Sequence, residues 1–158
     1  MKEPIVVASD HAGIELKQFL KGVLQALQYP VVDLGAHDSS PVDYPEVGYG
    51  VAASLRDGQA KCAVLICGSG IGVSIAANRF PEIRAALVHE PLSARLAREH
   101  NDANVICFGG RMIGPELARE CLRVFLETEF QGGRHAPRVE KLSNPRARPR
   151  RPQGVNIE

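Results

Sequence analysis

The sequence alternates five times between a short, continuous apolar run and an amphipathic stretch. The runs are Ile5-Val6-Val7-Ala8, Val31-Val32-Asp33-Leu34, Cys62-Ala63-Val64-Leu65-Ile66, Ile83 to Val88, and Asn104-Val105-Ile106-Cys107-Phe108. They lack the in-out alternation of a half-exposed sheet. Strands covered on both faces read this way. Between the first two runs, Ile14, Leu16, Phe19, Leu20, Val23, Leu24 and Leu27 recur near helical spacing. Further helices are expected behind Pro45, from about Ile71 to Arg79, from Pro91 to His100, and after Gly114-Pro115. Strand and helix in strict alternation predict the α/β class: a three-layer α/β/α sandwich around a Rossmann-like, five-stranded parallel sheet with right-handed crossovers.

A chain of 158 residues fits one domain with a single core. The expected boundaries are a domain over 1–142 and a basic, Pro/Arg-rich tail over 143–158, whose composition predicts disorder from about Asn144. The net charge of +1 conceals an asymmetry: residues 134–158 hold six Arg and one Lys against two Glu, so the body is acidic. Such a tail suits nucleic acid, a solvated end or a phosphate. With no Trp and 5% aromatic residues, a base-stacking platform is not expected, and no nucleic-acid partner is assigned. No stretch approaches the roughly 20 apolar residues of a membrane span, and the first residues lack the pattern of a secretory leader. The expectation is a cytoplasmic protein with no membrane partner.

In parallel sheets, ligands bind beyond the carboxyl ends of the strands. Those ends carry Ser9-Asp10-His11, Gly35, Cys67-Gly68-Ser69-Gly70, His89-Glu90 and Gly109-Gly110-Arg111. The turn Gly68-Ser69-Gly70-Ile71-Gly72 joins a strand to a helix, where free N–H groups face incoming negative charge. It lacks the G-x-G-x-x-G spacing of a dinucleotide fingerprint, so by itself it reads equally as a ligand site or a tight turn. Cys67 opens this turn, a position that favours a reactive thiolate; the alternative is a small residue chosen for packing. Cys62, Cys107 and Cys121 read as small buried hydrophobes. No C-x-x-C pair or metal-ligand spacing occurs, so no metal and no cofactor is assigned.

Asp10-His11 is either a helix cap with a solvated imidazole or a carboxylate–imidazole pair in a site. His100, with Asn101 beside it, is either a surface histidine at a helix end or an acid–base group. Arg134 and Arg138 flank Pro137, which argues for a loop there; two loop arginines suit an anion through forked hydrogen bonds, or belong to a solvated tail. His37, His89 and His135 read as structural or surface residues.

Six segments together are similar to the ribose-5-phosphate isomerase B family, which includes galactose-6-phosphate isomerase subunits and allose-6-phosphate isomerases. They are Ser9-Asp10-His11-Ala12-Gly13, Asp43-Tyr44-Pro45, Cys67 to Gly72, Ala76-Ala77-Asn78-Arg79, His100 to Val105, and Gly132-Gly133-Arg134-His135 with Arg138-Val139. The resemblance runs to about residue 142. It implies that Cys67 is the base moving a proton between C1 and C2 and that His100 opens the furanose ring. It implies that Asp10, His11 and Asn101 contact substrate, and that N–H groups of Gly68, Ser69, Gly70, Ile71 and Gly72 hold the enediolate oxygen. Arg111, Arg134 and Arg138 would bind the phosphate, and Tyr44 would wall the sugar pocket. The implied partners are a small-molecule sugar phosphate and further copies of the chain, as a homodimer or homotetramer with sites between subunits. Some members replace the cysteine by a carboxylate from the following helix. Here Val73-Ser74-Ile75-Ala76 offers none, and Ser69 stands where others have Thr. A six-carbon aldose phosphate and a non-catalytic phosphosugar-binding module are the competing readings.

Overall fold

The computed structural model describes residues 1–145. Five parallel strands form one sheet: β1 (Ile5–Ser9), β2 (Val31–Asp33), β3 (Cys62–Cys67), β4 (Ala85–Leu87) and β5 (Val105–Gly109), in the order β2-β1-β3-β5-β4. Six helices surround it: α1 (Ile14–Ala26), α2 (Tyr44–Arg56), α3 (Ile71–Ala77), α4 (Pro91–Asn101), α5 (Pro115–Glu127) and α6 (Ala136–Ser143). The α/β class and the parallel five-stranded sheet expected from the sequence are both present.

Alternate strand residues feed two separate cores. Val7, Val64, Ile66, Ile106 and Phe108 pack with α1, α4 and α5. Val6, Ala8, Leu65, Cys67, Val105 and Cys107 pack with α2 and α3. Each strand therefore has apolar side chains on both faces, which is why the apolar runs are continuous. The strand order reverses between β1 and β3, so a crevice opens at the carboxyl ends of these two strands.

The structure corrects the sequence reading at two places. The segment around Arg134 and Arg138 is helical: a 3-10 turn over Gly133–His135 runs into α6, with Pro137 in its first turn. A proline there removes an N–H that has no intrahelical partner anyway, so it starts the helix and does not break it. The fourth strand is also shorter than expected. Asn78 ends α3, and its side-chain amide donates to the Ala85 carbonyl and accepts the Ala85 N–H, at 2.9 and 2.8 Å. This side chain stands in for a further strand along the edge of β4. The disorder expected of the tail concerns residues beyond 145, which lie outside the described ones.

A buried ammonium braces the end of β2. Lys17 of α1 has no solvent exposure. Its Nζ donates to Asp33 Oδ1 at 2.6 Å and to the Ala36 carbonyl at 2.8 Å, and Lys21 reaches Asp33 Oδ2 at 2.8 Å. Burial works against the charged carboxylate, but hydrogen bonds from both lysines and the Gly35 N–H outweigh it and hold the Asp33 pKa at about 2. A depressed carboxylate pKa contributes stability that is present above the unfolded value near 4 and lost as pH falls toward 2. Asp33→Asn strands the Lys17 charge and is expected to cost about 3 kcal/mol at pH 7. That deficit should shrink toward pH 2, where the native protein loses the same contribution. Urea unfolding at pH 7 and pH 3 checks both the size and the sign.

Candidate active site

Cys67 ends β3 in the crevice between β1 and β3, 4% exposed. The N–H of Gly70 points back at it, 3.1 Å from Sγ. The turn closes this tightly because Gly70 adopts a left-handed φ of 77°. Its backbone also lies against β4 and β5: a Cβ there would meet Leu87 Cδ1 at 2.5 Å and the Gly109 nitrogen at 2.9 Å. Gly72 is required for a different reason. A Cβ on it would lie 2.5 Å from the ring of Tyr44, which leans over the turn from α2. Arg111 covers the other side, its guanidinium 3.4 Å from where a Gly68 Cβ would stand, and the backbone N–H of Arg111 donates to the Gly68 carbonyl at 3.0 Å.

The other three thiols are kept protonated. Burial pushes Cys107 far up, with Cys67 adding to the effect. Burial pushes Cys121 up to about 11 and also raises Cys62. Among the four, Cys67 is the one at a strand end with a backbone N–H aimed at its sulfur.

Asp10 follows β1 and is next in register to Cys67, because Ser9 pairs with Ile66; neighbouring strands lie about 4.8 Å apart. Its Oδ1 accepts the Ala12 N–H at 2.9 Å and caps the short 3-10 turn His11–Gly13. His11 is exposed, but its Nδ1 accepts the Val42 N–H at 3.3 Å, which leaves Nε2 as the ring nitrogen not used in that bond. Within the glycine-rich turn, two N–H groups are already used: Gly70 on Cys67 Sγ, and Ile71 on Ser69 Oγ at 3.2 Å. The N–H groups of Gly68, Ser69 and Gly72 have no protein acceptor among the described residues. The expected set of N–H donors is thereby narrowed to these open positions, since a donor spent on a side chain is not free for a ligand.

His100, Asn101, Arg134 and Arg138 are not in this crevice. α4 runs from the carboxyl end of β4 down to the start of β5, so His100 and Asn101 lie at the amino edge of the sheet. Asp102 is fixed there by Arg84 and Arg98, each at 2.9 Å, and Asn104 binds the Arg84 N–H just before β4. At about 3.3 Å per residue, the length of β5 alone separates the two edges by about 13 Å. The His100 ring stacks on that of His135, centroids 4.2 Å apart and planes within 9°. Arg134 and Arg138 stand exposed on either side of His135, both raising the local positive potential. A groove of about 880 Å³ at this edge is lined by Asn101, Arg79, Arg84 and the residues that end α6. The expected site residues therefore fall in two groups at opposite edges of the sheet: Asp10, His11, Cys67 to Gly72 and Arg111 at one, and His100, Asn101, Arg134 and Arg138 at the other.

His135 is the residue whose placement the sequence did not reveal. It read as a structural or surface histidine, and it lies buried against His100. Among the described residues, no three His, Cys, Asp or Glu side chains cluster as a metal site would need.

The family model described as Ribose/Galactose Isomerase matches residues 5–142. The chain is 42% identical to the ribose-5-phosphate isomerase B of Escherichia coli over 88% of this chain and 93% of that protein. It is 42% identical to the D-erythrulose-4-phosphate isomerase of Pectobacterium atrosepticum, over 87% and 91% of the two chains. The crystal structure of the ribose 5-phosphate isomerase of Thermotoga maritima superposes with a TM-score of 0.88 at 45% identity, over 90% of this chain and 99% of that one. Fold, strand-end chemistry and these matches converge: the chain is an isomerase and belongs to the ribose/galactose isomerase family.

Proposed function

We propose that the protein interconverts ribose 5-phosphate and ribulose 5-phosphate, with Cys67 as the base. The observation that carries this reading is the single thiol at the β1/β3 crevice, backed by the Gly70 N–H at 3.1 Å and flanked by open backbone donors. In the open-chain aldose, the Cys67 thiolate takes the proton from C2. The C–H electron pair becomes the C1–C2 double bond, and the C1 carbonyl oxygen becomes an enediolate oxygen held by N–H groups of the turn. Transfer of the O2 proton to O1, with return of the proton from Cys67 to C1, gives the ketose and restores the thiolate. Asp10 and His11 contact the sugar hydroxyls, and Tyr44 walls the pocket.

The remaining parts come from a second copy of the chain. His100 delivers a proton to the ring oxygen as its bond to C1 breaks, while the C1 hydroxyl gives up its own. Asn101 orients the sugar, and Arg134 and Arg138 join Arg111 on the phosphate. Two half-sites about 13 Å or more apart cannot serve one small substrate within one chain. A two-fold pair brings opposite edges together twice, once at each site. Ile71, Ile75 and Tyr44, 53%, 58% and 45% exposed beside the Cys67 turn, form the apolar surface such a partner covers. A cytoplasmic location forms part of this reading; none of the described helices is long and apolar enough to cross a membrane.

Purified protein assayed with ribose 5-phosphate, allose 6-phosphate and D-erythrulose 4-phosphate tests the substrate. The highest kcat/KM is expected for ribose 5-phosphate. A preference for the six-carbon or the four-carbon compound would replace this assignment. Arg138→Ala removes a charge-assisted contact worth about 1.5–3 kcal/mol, so KM should rise roughly 10- to 100-fold with kcat little changed. An unchanged KM removes Arg138 from the phosphate site.

A further inference from the structure

The proposed mechanism uses His100 but leaves its neighbour His135 idle. His135 is 7% exposed, although the residues on both sides of it, Arg134 and Ala136, are exposed. Its ring lies parallel to that of His100 at 4.2 Å. The 3-10 turn that carries it is fixed by its own N–H, which donates to the Gly132 carbonyl at 2.9 Å, and by the Gln131 N–H, which donates to the Glu99 carbonyl at 3.1 Å. The second bond ties the turn to the residue before His100. The stack is therefore set from both ends by backbone.

His100 needs such support. It sits in the last turn of α4, half-buried, and stacking on His135 is the side-chain contact that fixes the plane of its ring. An acid that must reach one ring oxygen works only when it is held within a fraction of an ångström of its working position. A planar ring beneath it removes rotation without consuming either ring nitrogen.

We propose that His135 is a positioning residue: by parallel stacking it holds the His100 imidazole in the orientation from which it opens the sugar ring. This rests on the reading of His100 as the ring-opening acid. Burial, then the charge of His100, then Arg134 and Arg138, all lower the proton affinity of His135, with Glu99 opposing.

Two substitutions separate stacking from other roles. His135→Ala is expected to lower kcat for ribose 5-phosphate at least about 10-fold with KM changed by less than about 3-fold. His135→Phe, which keeps a flat ring and no titratable nitrogen, should recover most of that loss. In a His100→Ala background, His135→Ala should add nothing, because the group it positions is gone. Wild-type kcat in His135→Ala overturns the proposal. So does an equal loss in His135→Phe, an additive loss in the double variant, or a rise in KM alone, which would assign His135 to the phosphate-binding turn. If His100→Ala itself retains wild-type kcat, the ring-opening reading fails instead, and the two failures are told apart.

Discussion

Cys67→Ala is expected to reduce kcat for ribose 5-phosphate at least about 100-fold, the usual loss when a general base is removed. The fold should survive, because the substitution takes one sulfur from a strand end, where α2, α3 and β5 still cover the site. No other thiol can take over. Cys107 is fully buried behind it with its thiol held protonated, and Cys121 lies in the opposite core with its thiol pushed up to about 11. The helix after the turn offers no carboxylate either. Binding should be nearly intact, since the phosphate and hydroxyl contacts come from other residues. Turnover like that of the unaltered protein, measured by ketose formation on a sample shown to be folded by circular dichroism, would sink the assignment.

A second result of comparable size is expected from mixing two inactive chains. Cys67→Ala lacks the base at one edge of the sheet, and His100→Ala lacks the acid at the other. If each site joins the Cys67 edge of one chain to the His100 edge of its partner, a mixed dimer contains one doubly defective site and one fully native site. Random pairing makes half of the dimers mixed, so co-expression should restore about a quarter of native activity from two nearly inactive parents. Sites confined to single chains give no recovery at all. Size-exclusion chromatography must first show the chain to be at least a dimer. A monomer with full activity would refute the shared site outright.

Much of the crevice was legible in the sequence because it obeys local rules. Continuous apolar runs report strands covered on both sides, and the first polar or glycine residue after each run reports a strand end. Asp10, Cys67 and Arg111 were found this way. Gly70 and Gly72 read from the sequence as either a ligand site or a tight turn. The structure adds another reason for each, the crowding of β4 and β5 at Gly70 and of the Tyr44 ring at Gly72. The region around Arg134 was misread because Pro137 was treated as a helix breaker. Its effect depends on position within a helix, and the helix start was not visible in a segment lacking a strong apolar stripe.

By itself, then, the sequence determined the α/β class, the parallel sheet and the residues with reactive chemistry at its carboxyl edge. These follow from periodicities of two to four residues and from side-chain chemistry, both of which are written along the chain. The tertiary structure alone decided which of those residues meet. It sent His100, Asn101, Arg134 and Arg138 to the amino edge, because a crossover helix must return to the start of the next strand. It also laid His135 on His100 across 35 positions of sequence. That contact depends on where α4 and the turn before α6 come to rest against one another, and no local pattern encodes a distance between segments.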